Sequence, residues 1–367
     1  MVREAELIEH RRYLQDQRRL SAYRDALAEV VRPGDRVMDL GAGTGILGLL
    51  ACEVGAGSVV AVDSGDIIEL ARAIAADNGM SDRITHTRAL STEVQLDRLV
   101  DVVVCDQMGG AVHDAGLLAV FADARRRLLA PGGRLVPASF TLYAAPVTFN
   151  AGRSAVDFWT SNAESFDLSA GHHLAVNTEW RCHVDPADIT ALSPGRPLTG
   201  FAADHDGPIQ GEIDFVAETG GRLDGFTIWF VAQLSPSVTL TNNPWDSTRF
   251  DRFCNFYPTE KAVELGPGDE VSFQLDVRPR LGFTGWRIST GSVEMRQSTF
   301  NVPDISGPAG PVPLTDDVAR AIAVLQLIDG SKTRGEIIAA LEDSHGAGSD
   351  SGSGVERLVD RVLRSVR

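Results

Sequence analysis

The stretch Arg36-Val37-Met38-Asp39-Leu40-Gly41-Ala42-Gly43-Thr44-Gly45-Ile46-Leu47-Gly48-Leu49-Leu50 decides the fold. Val37, Met38 and Leu40 are apolar without a helical period, which predicts a strand. Gly41, Gly43 and Gly45, in the spacing G-x-G-x-G, break that strand, and Ile46, Leu47, Leu49 and Leu50 resume as a helix. A strand, a glycine turn and a helix place bare backbone and free N–H groups at one spot, which suits a ligand that must approach closely. Working outward, Ser58–Val62 reads as a second strand ending at Asp63, 20 residues after Gly43. A helix over Ile67–Asn78 and a strand near Ile84–Arg88 follow. Val100–Cys105 is a buried-type strand ending at Asp106. Leu117–Leu129 reads as a helix, and Pro131-Gly132-Gly133 as a turn into Arg134–Val136. This βαβαβ alternation predicts a doubly wound, Rossmann-like parallel sheet. Ligands of such sheets lie at the carboxyl ends of the strands, where Gly41–Gly45, Asp63 and Asp106 all fall.

The 367 residues allow two domains and an appendage. With 34 basic and 50 acidic residues the chain carries a formal charge of −16, which disfavours a general binder of nucleic-acid phosphates and is compatible with a cationic substrate. No apolar run reaches the roughly 18 residues of a membrane span. The charged N-terminus MVREAELIEHRRYL lacks an apolar signal core. Cys52, Cys105, Cys182 and Cys254 show no C-x-x-C spacing, so reduced cysteines in a cytoplasmic protein are expected. His172, His173, Cys182 and His183 have metal-ligand chemistry, but their spacing fits no zinc signature and no metal is expected.

Leu7, Leu14, Tyr23, Leu27 and Val30 recur at helical spacing ahead of the sheet. After it, Phe140–Val147 reads as a strand leading out of the nucleotide domain. Gly211–Ala217, Gly225–Leu234, Glu270–Val277 and Trp286–Thr290, separated by glycine turns, predict an all-β region of barrel or sandwich type. Val302–Pro313 is a Pro/Gly-rich linker. Beyond it, Val318, Ile322, Leu325 and Ile328 form an apolar stripe that ends at Asp329-Gly330. Thr333 and Glu336 have the capping-box spacing ahead of a helix at Ile337–Leu341. A Gly/Ser stretch, Gly346–Gly354, then leads to a helix over Val355–Val366.

The glycine turn with Asp39 before it resembles motif I of the class I S-adenosylmethionine (SAM) methyltransferases. Tyr13, Leu14, Asp16, Arg19 and Tyr23 resemble, more specifically, the helix that precedes motif I in the protein arginine methyltransferases. The resemblance covers roughly residues 8–300. It implies SAM as cofactor and S-adenosylhomocysteine (SAH) as product, with the N-terminal helix folded over the cofactor and Arg19 paired with its carboxylate. Such a pair has sound physics, because a guanidinium offers two parallel donors to a carboxylate. Asp39, Gly41, Gly43, Thr44 and Gly45 would surround the methionine part. Asp63 would take the ribose hydroxyls, and Ser91 and Thr92, in the loop Ala89–Glu93, would lie along the adenine. Asp106 would border the cofactor as well.

The loop Cys105–Gly116 is where acceptor chemistry is expected. The family carries two glutamates in a hairpin here that clamp the substrate guanidinium. Met108 and Gly109 match the pattern, Asp106 stands at the first glutamate position, and the second falls on Ala115, with Asp114 one residue earlier. Asp106, Asp114 and His113 are the catalytic candidates, since a carboxylate or a near-neutral imidazole can orient an amine or take its proton. Asp114 could instead cap the following helix and His113 could pack against the sheet. Met108, Asn242, Asn243 and Trp245 are the substrate-binding candidates. The last three lie where the family has a Thr-His-Trp loop, although Asn-Pro also favours an exposed turn. Phe158, Trp159, Phe166 and Asp167 resemble the segment of the family's dimerisation arm and imply a homodimer; a place in the local core is the alternative. LQLIDGSKTRGEIIAAL resembles the small PqqD-like leader-peptide domains, which bind a peptide at a sheet edge. Ser292–Asn301 could supply one of their strands, and a helical tail packed on the barrel is the alternative.

The expected organisation is therefore cofactor-covering helices over 1–30, a SAM-binding Rossmann-like domain over 31–147, a β-barrel substrate domain over 148–301 with its helical arm near 150–200, and a PqqD-like helical module over 302–367. The expected function is a cytoplasmic SAM-dependent methyltransferase acting on an amine of a peptide or small natural product, as in ribosomal peptide tailoring, with no nucleic-acid or membrane partner. Arginine N-methylation, of protein or free arginine, is the alternative. A non-catalytic SAM- or peptide-binding accessory protein is a third possibility.

Overall fold

The computed structural model describes residues 3–163, 166–300, 324, 327, 332–344 and 353–366. The chain divides into two compact units, Met1–Pro303 and Asp304–Arg367.

The first unit opens with α1 (Glu4–Gln15) and α2 (Gln17–Val30). They break at Asp16, whose carboxylate accepts the Arg19 N–H at 3.0 Å and so caps α2. Helix α2 buries Tyr23, Ala26, Leu27 and Val30 on one face, whereas α1 buries none of its residues. Then follow β1 (Arg36–Leu40), α3 (Ile46–Glu53), β2 (Ser58–Asp63), α4 (Ile67–Asp77), β3 (Ile84–Arg88), β4 (Val100–Val104), α5 (Leu117–Arg127) and β5 (Leu129–Val136). Their five-stranded sheet has the order β3-β2-β1-β4-β5 and is parallel throughout. Strand β1 is covered on both faces, as helices on both sides of a parallel sheet require. The strand order reverses between β1 and β4, so the glycine turn leaves β1 at the topological switch point. Leu129 corrects one expected boundary. It pairs with Val100 in the sheet, and an irregularity before the Val102–Arg134 pair absorbs Pro131-Gly132-Gly133. The expected turn is therefore a bulge inside β5, because Leu129 gains both sheet pairing and burial.

Strand β6 (Ser139–Phe149) carries the chain into the β region. It is followed by α6 (Asn150–Asp157), β7 (Asn162–Ala163), β8 (Phe166–Asp167), α7 (Ala170–Val176), β9 (Trp180–Cys182), β10 (Ile189–Ala191), β11 (Arg196–Ala202), β12 (Ile209–Val216), β13 (Gly221–Gln233), β14 (Thr239–Thr241), β15 (Cys254–Leu265), β16 (Glu270–Arg278), β17 (Phe283–Thr290) and β18 (Glu294–Ser298). One curled antiparallel sheet runs β10-β6-β13-β15-β9, with β11 on β6 and β14 on β13. A second runs β12-β16-β17-β18. Aromatic rings join the two sheets: Phe226 stacks on Phe273 at 4.5 Å, and Tyr257 meets Trp286 edge-on at 5.3 Å. Sequence pattern misses β15 because Pro258 interrupts it. The chain tolerates that proline where the β13–β15 register shifts, between the Gly225–Pro258 and Leu223–Val263 pairs.

The strand sought in Ser292–Asn301 exists as β18, but it pairs with β17 inside the first unit. It is therefore not a strand of the C-terminal unit. In that second unit the helices Arg334–Ser344 and Ser353–Val366 share a small core of Ile337, Ile338, Leu341, Val359, Val362 and Val324. Glu336 accepts the Thr333 N–H at 2.7 Å and Thr333 Oγ1 accepts the Glu336 N–H at 3.4 Å, which forms the capping box. Val318, Ile322, Leu325, Ile328, Asp329-Gly330, the linker Val302–Pro313 and the stretch 346–352 lie outside the described residues.

Candidate active site

The glycine turn is bare for a reason that the structure makes concrete. Gly41 and Gly43 sit at φ 69° and 55°. A Cβ on Gly41 would overlap the Gln107 amide, and one on Gly43 would overlap the His10 ring of α1. The His10 side chain of α1 thus reaches over the turn, and the positive φ at both positions favours glycine. Asp63 stitches this turn to the end of β2: Oδ2 accepts the Gly43 N–H at 2.9 Å and Oδ1 the Gly65 N–H at 2.7 Å. Asp39 is buried inside β1, where Oδ2 accepts the Gly48 N–H at 2.9 Å and Oδ1 has no partner. Burial outweighs the Gly48 hydrogen bond and pushes its carboxyl pKa up to about 7. Thr44 is buried in the turn. Ser91 and Thr92 form a short helical turn beyond β3, pinned by Arg127, which donates to the Ser91 carbonyl at 3.0 Å and the Val94 carbonyl at 2.8 Å.

Next to this turn a cluster of arginines gathers on one carboxylate. Arg19, only 4% exposed, is ion-paired with Asp106 and donates to the Tyr13 carbonyl at 2.9 Å. Arg252 donates to the Asp106 carbonyl at 3.0 Å and comes within 3.9 Å of its carboxylate. Both guanidinium carbons face the Tyr13 ring, at 5.5 and 5.3 Å from its centre. The buried Tyr23 hydroxyl donates to the Cys105 carbonyl at 3.0 Å and fixes α2 to the end of β4, one residue before Asp106. Burial, with a contribution from Arg252, lowers the Arg19 pKa.

Beyond Asp106 the loop is held tightly. Val112, β-branched and fully buried, adopts φ 69°, ψ −52°, a strained γ-turn closed by the His113 N–H to the Ala111 carbonyl at 2.8 Å. Asp114 points into the loop and not out of it. It accepts the N–H groups of Gly110 and Ala111 and pairs with Arg181 at 2.7 Å, with 3% of its side chain exposed. His113 bonds the Ala111 carbonyl through Nδ1 and Glu179 through Nε2, at 2.9 and 3.1 Å. Tyr257 donates to the same Glu179 at 2.8 Å. Burial pushes the His113 pKa down, but the hydrogen bond and charge of Glu179 more than offset it, so the net shift is upward. Met108 is wholly buried in the main core and presents nothing to a ligand.

Of the residues placed at a Thr-His-Trp loop, Asn242 is internal, whereas Asn243 and Trp245 are half-buried. Asn242 is fully buried: it accepts the Phe230 N–H at 2.8 Å and donates to the Gly110 carbonyl at 2.9 Å, so it holds the acceptor loop from behind. Asn243 accepts the Trp245 N–H at 3.1 Å in an Asx turn, and Trp245 packs edge-on against Trp229 at 5.4 Å. The segment that does reach the site begins a few residues later. The Asp251 N–H donates to Asp16 at 2.9 Å, Asp251 pairs with Arg12 at 2.6 Å, and Arg252 follows.

Comparison with known proteins agrees with this geometry. Residues 24–138 match the family model described as ribosomal protein L11 methyltransferase (PrmA). The probable protein arginine N-methyltransferase 6 of Arabidopsis thaliana is 33% identical over 193 residues, 52% of this chain and 43% of that protein. The arginine N(omega)-methyltransferase of Streptomyces achromogenes subsp. streptozoticus is 28% identical over 273 residues, 72% of this chain and 75% of that one. Among solved structures, a Trypanosoma brucei PRMT1 enzyme–prozyme heterotetrameric complex with AdoHcy matches in fold, with a TM-score of 0.68 at 21% identity over 78% of this chain and 97% of that one. This chain is a class I SAM-dependent methyltransferase. It resembles the arginine methyltransferases, and SAM is its cofactor.

The methyltransferase's residues suit that cofactor. The glycine turn lies at the switch point of the sheet, and the orphaned buried Asp39 Oδ1 offers an acceptor beside it. The two guanidinium groups suit a carboxylate. His10, Gln107, Glu179 and Arg252 are site residues that sequence pattern missed. Charge could have flagged Arg252, since Arg249, Asp251 and Arg252 alternate with Phe250 and Phe253 just before an apolar strand. No local signal marks the other three. On the arm, Phe158 is 56%, Phe166 71% and Leu174 40% exposed. His172 bonds the Val156 carbonyl and His183 lies against Arg12. Among the described residues no group of three or more His, Cys, Asp or Glu is arranged to hold a metal, and no helix is long and apolar enough to cross a membrane.

Proposed function

We propose that the methyltransferase transfers the SAM methyl group to a guanidinium nitrogen of arginine, free or within a peptide. The observation that carries this reading is Asp106. It is a carboxylate at the carboxyl end of β4, held between Arg19 and Arg252, in a chain whose relatives from Arabidopsis and Streptomyces are named arginine methyltransferases. SAM supplies an electrophilic sulfonium methyl, so the protein's own task is largely positioning. Arg19 holds the carboxylate end of the cofactor, Asp63 the ribose, and Ser91 and Thr92 border the adenine. Asp106 orients the nucleophilic nitrogen and accepts the proton that this nitrogen loses as it is methylated. Asp114 keeps the loop in shape and acts on the acceptor only through that shape. The arm residues Phe158, Trp159 and Phe166 support a homodimer.

An amine acceptor on a peptide or small natural product is the second reading. Asp114 is engaged by two backbone amides and Arg181, which leaves Asp106 as the acid the loop can offer. An amine needs one acceptor, whereas a planar guanidinium is best held by a fork. Incubation with methyl-labelled SAM and a panel of free arginine, an arginine-rich protein and peptide extract separates the two. Label on arginine is expected. Label confined to peptide amines, lost when the chain is shortened to Pro303 where the first compact unit ends, would replace arginine with the amine reading and assign recruitment to the C-terminal unit.

A further inference from the structure

Two buried guanidinium groups share one carboxylate beside the glycine turn, and that imbalance is informative. Asp106 is ion-paired with Arg19 and lies 3.9 Å from Arg252. The acids of the adjoining segments, Asp16 and Asp251, are committed elsewhere. Asp16 accepts the N–H groups of Arg19 and Asp251, and Asp251 pairs with Arg12. Side-chain exposure is 4% for Arg19 and 9% for Arg252, and the Nε of each is buried with no hydrogen-bond partner. Each cation therefore has an unused donor out of contact with water, a costly arrangement unless an anion completes it. The rings of Tyr13 and Phe250, with centres 5.3 and 5.4 Å from the Arg252 guanidinium, hold that side chain in place without neutralising it.

We propose that Arg252 is a second carboxylate-binding arginine of the cofactor site, so that Arg19 and Arg252 together hold the carboxylate of SAM. This rests on the reading of Arg19 as the group that meets that carboxylate. One guanidinium shared with Asp106 has few donors left for a second anion. Two guanidinium groups beside Tyr13 have enough, and a second carboxylate balances the cluster. Arg252 follows β14 and Arg19 lies in α2, so the cofactor's tail would tie the N-terminal helices to the β region.

Calorimetric titration of the full chain with SAH, which carries the carboxylate, and with 5′-methylthioadenosine, which lacks the amino-acid tail, tests this directly. Arg252→Gln is expected to weaken SAH about ten- to hundredfold and leave methylthioadenosine within about twofold. Arg252→Lys, a point charge without the fork, should fall between Gln and the native protein. Unchanged SAH affinity, or equal loss for both ligands in the Gln and Lys variants, would overturn the proposal and leave Arg252 a prop for the loop. A native protein that binds SAH no more tightly than methylthioadenosine would instead sink the reading of Arg19. One that binds neither would sink the cofactor assignment itself.

Discussion

The cofactor side and the acceptor side of this site are built in different ways. On the cofactor side, Asp39, Gly41, Gly43 and Thr44 lie within one strand-turn-helix, and Asp63 ends the adjacent strand. Backbone geometry does most of the work there: positive φ, a bare Cα and N–H groups aimed at Asp63. On the acceptor side, a single loop is held by side chains that come from far along the chain. Arg181 meets Asp114, Glu179 meets His113 and Asn242 meets the Gly110 carbonyl. A cofactor common to many enzymes can be served by a local motif. An acceptor particular to one enzyme is served by long-range packing, which can change one contact at a time.

The sharpest way to break this comparison is to remove one member of the ion pair that joins the two sides. Arg19→Ala should abolish SAH binding and cost about 3 kcal/mol of stability, because the largely buried Asp106 loses its closest counter-charge and keeps only Arg252, 3.9 Å away. Asp106→Ala should lower kcat by about a thousandfold while SAH still binds, because the group lost belongs to the acceptor. Calorimetry with SAH, thermal unfolding and single-turnover rates read all three quantities. If both variants lose SAH binding alike, the two sides are one site and the division above fails.

That same division explains what was legible in the sequence. Parallel strands, the glycine turn and Asp63 could be read because their spacing is local and periodic. The helix that carries Arg19 was legible because its pattern is local too. Asp114 was visible as an acid, but only the fold shows it turned inward to cap Gly110 and Ala111. Trp245 follows an Asn-Pro turn, and only the fold shows that turn docking its ring on Trp229. Strand β15 was missed because Pro258 interrupts its pattern, and only the register of its partner β13 reveals the accommodating bulge.

A second test acts on the acceptor side alone. Glu179→Gln leaves the buried His113 without its counter-charge and should cost about 3 kcal/mol. In the native protein the pair's contribution depends on pH in both directions. The His113 pKa is raised above its ordinary 6.5, so its share is full below that value and fades as pH climbs through the raised one. Despite burial, its bonds to His113 and Tyr257 draw the Glu179 pKa below its ordinary 4.5, so its share is full above that value and fades as pH falls through the lowered one. Denaturant unfolding across pH should therefore show a contribution that is greatest between about 4.5 and 6.5 and absent in Glu179→Gln. A flat difference between the two proteins would show that the pair is not ionised.

The matching test on the cofactor side is Asp39. Its folded pKa of about 7 against an ordinary 3.8 means that the native protein holds a proton the unfolded chain releases, so stability should fall as pH rises from about 4 to about 7. SAM carries an ammonium and a sulfonium charge, which favour the ionised carboxylate. Its affinity should run the opposite way, rising by up to about tenfold per pH unit below 7 and levelling above it. Titrations in buffers of different ionisation enthalpy should report proton release on binding, and Asp39→Asn should remove the slope. Proton uptake in place of release would place Asp39 outside the reach of the cofactor's charge.

The smallest expected effect is the most discriminating for the β region. Asn243→Ala deletes one Asx-turn hydrogen bond in a segment that packs against the outer cluster of Trp229 and Trp245. It should cost about 0.5–1.5 kcal/mol in thermal unfolding and leave kcat/KM within about twofold. Asn242→Ala differs by one position and points the other way, because it removes donors from the Gly110 and Phe253 carbonyls and so frees the acceptor loop from behind. Its loss should appear in kcat/KM for the acceptor and not in SAH affinity. Two adjacent asparagines with opposite readouts would fix where the substrate side of the barrel ends. Equal loss of acceptor turnover in both would bring the Asn243–Trp245 turn back to the cleft wall, where the sequence first suggested it.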